Sequence, residues 1–208
     1  LIPLVNSHPV RRILIVKLSA IGDILHALPV SSAIGQTFPD VELYWAVEEP
    51  FKTLLEGNPY LKGIIPFPKL NSKLLLSPEA RRDYLDRLHA LKAYQFDAVL
   101  DLQGLTKSAI IVRASGARLK LGYHWQRELA KYINTPVPRR PESVHIVDQY
   151  LDVAQYVVEN LPKVTFPFHI SPEDDSAVLQ LLKAEGIDPK RPFVSLNPAS
   201  AAVIKQWG

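Results

Sequence analysis

The sequence predicts an α/β protein built on a Rossmann-like, doubly wound, mostly parallel sheet. Strand and helix signals alternate along most of its 208 residues. The strand candidates are short, unbroken apolar runs, as expected of strands covered on both faces. Twice such a run stops at a turn with glycine and opens into a helix, at 13–30 and again at 98–114.

Ile13–Val16 is the first strand, followed by the polar turn Lys17-Leu18-Ser19-Ala20-Ile21-Gly22-Asp23 and a helix through Ile24, Leu25, Leu28 and Val30. That helix ends near Phe38-Pro39-Asp40, and Val41–Val47 is the next strand. A helix begins at Phe51–Leu55 and is closed by Gly57-Asn58-Pro59. Gly63–Phe67 is a short strand, and Pro68–Pro78 reads as loop or frayed helix. Pro78–Tyr94 has helical periodicity through Tyr84, Leu85, Leu88 and Leu91. Ala98–Leu102 is a buried strand, turning at Gln103-Gly104 into a helix through Ser108–Ala114 that stops at Ser115-Gly116. Lys120–Tyr123 is a short strand, and Val144–Asn160 an amphipathic helix through Val147, Tyr150, Leu151, Ala154 and Val157.

A break follows. Leu161 to Pro172 holds three prolines, and Ser171-Pro172-Glu173-Asp174 starts a helix that runs to Ala184-Glu185-Gly186. Phe193–Leu196 reads as a new buried strand. Residues 1–160 are therefore expected to form one domain, 161–192 a linker with a bridging helix, and 193–208 the first strand and turn of a second, largely absent domain.

Composition narrows the classes. No cysteine occurs, which excludes disulfides, thiolate metal sites and a cysteine nucleophile and favours a reducing compartment. There is no apolar run long enough to span a bilayer, and Leu1–Asn6 is too short and interrupted for a signal peptide. A net charge of +3 is too modest to imply nucleic acid. Neither metal-ligand spacing nor a Ser-His-Asp arrangement can be argued.

Four constellations carry possible chemistry. In Ser19…Gly22-Asp23…His26, a carboxylate stands beyond a strand's carboxyl end, where doubly wound sheets bind ligands. Asp23 can be a general base there, or cap the helix and complement its dipole. His26 lies on the same side; alone it reads as a structural histidine. Glycines of a dinucleotide fingerprint are missing, which disfavours a nicotinamide-dependent oxidoreductase. Asp101-Leu102-Gln103-Gly104-Leu105-Thr106-Lys107-Ser108 repeats the layout with a lysine and hydroxyls, an arrangement that suits an anion or is a turn with a surface lysine. From Lys107 to Arg140 the chain carries eight Lys and Arg residues against the single acid Glu128, with Tyr123, His124 and Trp125 interleaved. So one-sided a stretch fits a polyanion better than a solvated surface does. Asn197-Pro198-Ala199-Ser200…Lys205 could hold a phosphate by backbone N–H groups and one charge. His145 begins a helix and could face the same cleft as Asp23.

Together these residues resemble the ADP-heptose:lipopolysaccharide heptosyltransferases, glycosyltransferase family 9. The resemblance rests on KLSAIGDILHALP at 17–29, WAVEEPF at 45–51, DLQGLTKS at 101–108, LGYHWQRE at 121–128, SVHIVDQYL at 143–151 and NPASAAVIKQW at 197–207. The form GDILHALP is closer to the type I than the type II branch, which implies Kdo on lipid A as acceptor. The resemblance further implies a two-domain GT-B fold, the amino-terminal domain taking the acceptor and the carboxyl-terminal one ADP-heptose. Transfer would be inverting, with no metal and no cofactor. Asp23 would be the general base, and Lys205 would neutralise the departing diphosphate. Gln103, Lys107 and Arg127 would grip acceptor carboxylates and phosphates, with Ser19, Gly22, His26, Gly104 and His145 completing that site and Asn197 and Ser200 on the donor. Ala199, Ala202 and Ile204 depart from the family's usual Gly, Trp and Thr, and Ile204 lacks the hydroxyl that would reach a phosphate.

The implied partners are ADP-heptose, Kdo-lipid A and the inner-membrane surface, with no nucleic acid, and the implied location is cytoplasmic and peripheral. A chain ending at Gly208 is expected to bind acceptor and to turn over poorly or not at all. Two alternatives remain: a non-catalytic module that binds acidic glycolipid, and a related glycosyltransferase with another donor or acceptor.

Overall fold

A computed structural model describes residues 4–5, 8–70, 76–158 and 160–196. The chain divides into two compact units, Leu1–His169 and Ile170–Gly208.

The first unit is a six-stranded sheet with helices on both faces. Strands β3 (Arg12–Val16), β4 (Glu42–Glu48), β5 (Leu61–Phe67), β6 (Ala98–Asp101), β7 (Leu119–Tyr123) and β8 (Thr135–Val137) lie in the order β5-β4-β3-β6-β7-β8. Every pairing is parallel. A short antiparallel pair, β1 (Leu4–Val5) with β2 (His8–Pro9), precedes the sheet. The order reverses between β3 and β6, which makes the gap beyond their carboxyl ends the switch point where such sheets bind ligands.

Side-chain alternation divides the core between the two faces. Ile13, Ile15, Leu43, Trp45, Val47 and Leu100 meet helices α1 (Ile21–Thr37) and α5 (Ile146–Gln155) on one face. Leu14, Val16, Ala46 and Val99 meet α2 (Pro78–Ala90) and α3 (Thr106–Ser115) on the other. Each fully buried Leu or Ile contributes about 1.5–3 kcal/mol relative to exposure, and β3 is buried from Ile13 to Val16.

Several local expectations are corrected. Helix α1 begins at Ile21, so Asp23 lies within its first turn rather than ahead of it. Residues Glu49–Leu55 form a 3-10 helix, and α2 tightens into another at Leu91–Tyr94. The helix expected over 144–160 is shorter, because His145 caps its start and the α-helix stops at Gln155. Strand β8 and the one-turn helix α4 (Ala130–Ile133) gave no sequence signal. Each is only three or four residues long, and Pro136 marks β8 as an edge strand.

In the second unit the Ser171 hydroxyl accepts from the Asp174 N–H at 3.0 Å, and α6 runs Pro172–Ala184 as expected. The strand expected at Phe193–Leu196 is not formed: these residues pair with nothing, and Phe193, Val194 and Leu196 are exposed. A parallel strand needs a neighbour to satisfy its backbone, and none is present among the described residues.

Candidate functional site at the carboxyl edge of the sheet

Backbone bonds draw the loops after β3, β4 and β6 together. Leu102 N donates to Val16 O at 3.0 Å, Glu48 N to Leu18 O at 3.0 Å, and Lys17 N to Ala46 O at 3.3 Å. Gln103 adds side-chain mortar, its Oε1 accepting from the N–H groups of Leu18 (3.1 Å) and Ser19 (3.2 Å). The two Gly-bearing turns, read as separate constellations in the sequence, are thus joined by these bonds.

Asp23 stands on the first turn of α1 with its side chain 51% exposed. Its only protein hydrogen bond among the described residues is from Ala20 N, at 3.4 Å. That is too long to hold a helix start firmly. Beneath it lies Lys17, which sequence reasoning did not single out. Lys17 is buried, with Nζ donating to Tyr150 OH at 2.8 Å and Leu102 O at 3.0 Å and lying 3.9 Å from Asp23 Oδ2. The ammonium also sits 5.0 Å from the centre of the Tyr150 ring. Burial pulls its pKa down to about 8, against the opposing pull of Asp23 and Asp101. The available signal was a lysine directly after a fully buried apolar run, since a charge there is retained only where partners exist. Tyr150, expected only as core, is the hydroxyl partner, and burial pushes its own pKa upward.

Lys107 reaches across to Ser19 Oγ and Glu48 Oε1, both at 2.7 Å. Glu48 is buried at the end of β4 and was not anticipated. Its carboxylate already takes up the Lys107 charge, so Lys107 braces the turn as well as facing the site. Asp101 is fully buried and accepts four hydrogen bonds, from Gln103 N, Gly104 N, Ser108 Oγ and Asn134 Nδ2, at 2.7–3.0 Å. Desolvation raises its pKa while those bonds oppose the rise. It is the anchor of the β6–α3 turn.

Gly104 holds φ +66°, and a Cβ there would meet Tyr123 Cε1 at 2.9 Å and Trp125 O at 3.0 Å. Gly22, by contrast, has open space around it. Arg127 is exposed, its guanidinium 5.9 Å over the Trp125 ring, and its N–H bonds Gly104 O at 2.9 Å. Glu128 accepts from Thr106 N at 3.0 Å and so caps α3. His26 and His145 meet edge to face at 5.5 Å, while His145 Nδ1 accepts from Val147 N to cap α5. Ser19, Gly22, Asp23, Gln103, Gly104 and Lys107 are thus gathered at the switch point, and His26 and His145 form a pair. Asn197, Ser200 and Lys205, with the departures at 199, 202 and 204, lie outside the described residues.

A cavity of about 490 Å³ lies at the other, amino-terminal end of the strands, lined by Arg11, Arg12, Asp40, Glu42, Gln95 and Asp97. Its charges serve each other: Arg12 pairs with Glu42 at 2.8 Å, and Asp97 accepts from the N–H groups of Arg11 and Arg12. We read it as structural. Among the described residues no group of three His, Asp or Glu could hold a metal ion, and no helix is long and apolar enough to cross a membrane.

Comparison with known proteins agrees with the fold. The chain is 35% identical over 116 residues to lipopolysaccharide heptosyltransferase 1 of Escherichia coli K12, which covers 55% of this chain and 36% of that one. It is 27% identical over 208 residues to the lipopolysaccharide core heptosyltransferase OpsX of Haemophilus influenzae, covering 99% of this chain and 55% of that one. Among solved structures, E. coli heptosyltransferase WaaC with ADP-2-deoxy-2-fluoro heptose superposes with a TM-score of 0.65 at 29% identity, over 74% of this chain and 51% of that one. The chain thus spans about a third to about half of the length of these relatives. The model of the family described as glycosyltransferase family 9 (heptosyltransferase) matches residues 85–208. That match runs over more than half of the sequence, and the chain belongs to glycosyltransferase family 9.

Proposed function

We propose that the protein transfers heptose from ADP-heptose to the Kdo sugar of lipid A in lipopolysaccharide core synthesis, with inversion at the anomeric carbon and Asp23 as general base. The observation that carries the reading is Asp23 itself. It is a half-exposed carboxylate at the switch point, bound by one long contact and backed by a buried ammonium. A sugar hydroxyl is a poor nucleophile, and a carboxylate within reach of its proton is what the step requires.

In the proposed step an acceptor hydroxyl oxygen forms the bond to the anomeric carbon as the bond from that carbon to the diphosphate breaks. The hydroxyl proton passes to Asp23, and ADP leaves with the bonding electrons. Lys205 would meet the charge growing on the diphosphate, the electrostatic part of catalysis that is usually largest. The Gln103 Nε2 group, Lys107 and Arg127 supply donors for acceptor carboxylate and phosphate, Arg127 through its fork. Ser19, His26 and His145 flank that approach. Support comes from relatives named as heptosyltransferases and from the WaaC structure, which contains an ADP-heptose analogue.

On this reading residues 1–160 hold the acceptor, 161–192 link, and 193–208 open the donor-binding domain. The enzyme works at the cytoplasmic face of the inner membrane, where its lipid acceptor lies. The test is ADP release from ADP-heptose by the full-length protein, with and without Kdo-lipid A, and the anomeric configuration of the product by NMR. Acceptor-dependent release and an inverted product are expected. Folded protein that releases no ADP in the presence of acceptor sinks the reading, and retained configuration sinks the single-displacement mechanism.

A further inference from the structure

The segment that follows β7 carries, beside Arg127, apolar side chains that the site chemistry leaves unused. Trp125, Leu129 and Tyr132 are 63%, 47% and 76% exposed, three large apolar side chains within eight residues. Leu129 and Tyr132 stand three residues apart, at the start of the one-turn helix α4 and within it, a spacing that puts side chains on one helix face. Both rings lie under cations: Arg127 is 5.9 Å from the Trp125 ring centre, and Lys131 Nζ is 4.8 Å from that of Tyr132. No acid pairs with Arg127, Lys131 or Arg139 among the described residues. The one acid of the stretch, Glu128, is turned to the N-terminus of α3.

The root of the segment is fixed while its tip is bare. Asn134 Nδ2 bonds the buried Asp101 at 2.7 Å, Arg127 N bonds Gly104 O, and Ala130 is fully buried. Leu129 and Tyr132 are therefore held out by a rigid base rather than left on a loose loop. The same base adjoins Gly104 and Gln103, so the patch borders the acceptor side of the site.

Aromatic rings and a leucine flanked by unpaired Lys and Arg match the boundary layer of an anionic bilayer, where rings sit at headgroup depth and cations meet lipid phosphates. We infer that residues 125–132 are a docking surface by which the protein rests on anionic phospholipid. The inference rests on the reading that the acceptor is lipid-borne, and it adds which face meets the membrane.

The test is co-sedimentation of the full-length protein with phosphatidylcholine vesicles, with and without phosphatidylglycerol. The parent, Leu129→Ser/Tyr132→Ser and Lys131→Glu proteins are compared, with thermal melting as the fold control. The parent should sediment with the anionic vesicles alone. The double variant should lose roughly tenfold in vesicle affinity and Lys131→Glu several-fold, both with unchanged melting. Transfer to a water-soluble, deacylated acceptor should be the same in all three proteins. No vesicle binding by the parent, or binding by the double variant equal to the parent's, overturns the inference and assigns the patch to another part of the polypeptide or to a protein partner. If the double variant fails to melt as the parent does, Lys131→Glu decides alone. Absence of transfer to the soluble acceptor by a parent that binds vesicles instead overturns the proposed reaction and leaves the docking surface standing.

Discussion

Asp23 and Lys17 lie 3.9 Å apart, and each constrains what the other can do. Lys17 has given up most of its hydration, so its proton is held less tightly in the folded chain than in the unfolded one. Its pKa falls from 10.5 to about 8. Between those values the unfolded chain binds more protons than the folded one, so stability due to this group rises with pH across that window. The full change is on the order of 3 kcal/mol. Denaturant titrations of parent and Lys17→Met at about pH 7 and about pH 10 should show the parent gaining on the variant as pH rises. Parallel profiles would mean that Lys17 is not buried as described. At Asp101 the same logic gives a different outcome, because four donors surround a fully buried carboxylate. Asp101→Ala strands those donors and should cost about 3–5 kcal/mol, measured by chemical denaturation.

Among the elements, the turns after β3 and β6 matter most. Gly104→Ala would force a Cβ against Tyr123 and the Trp125 carbonyl at a positive φ. A loss of about 1–3 kcal/mol is expected, with a change in Trp125 fluorescence because that residue must move. Unchanged stability and fluorescence would show that the turn relaxes freely. The long strands and helices were legible in the sequence because their apolar periods are unambiguous: Ile13–Val16, Ala98–Asp101 and Pro172–Ala184 appear where expected. Strand β8 was not, since three residues around Pro136 carry no period. Phe193–Leu196 is not a strand among the described residues, because an apolar run predicts burial only where something lies beside it. Lys17, Glu48 and Asp101 escaped notice as a set for a related reason. They sit 31 and 53 residues apart along the chain, and only the order β4-β3-β6 makes them neighbours.

For the molecule as a whole, the parallel sheet makes a site by topology before any side chain is chosen. The reversal between β3 and β6 leaves a crevice, and the sequence fills it with one half-free carboxylate, two braced lysines and a hydroxyl. Asp23, Gln103 and Lys107 were legible because each follows a buried strand by a short Gly-bearing turn or lies in the helix turn after it. His26 and His145 were legible as residues but not as a pair, which needs α1 against α5.

The most direct measurement is turnover of ADP-heptose with Kdo-lipid A by the full-length protein and its Asp23→Asn variant, alongside acceptor affinity and melting temperature. If Asp23 is the base, turnover falls by about 10²–10⁴-fold. Affinity should stay close to the parent's, while melting should fall modestly, because the buried Lys17 ammonium loses the opposing charge 3.9 Å away. Turnover within about threefold of the parent would contradict the account and return Asp23 to complementing the dipole of α1.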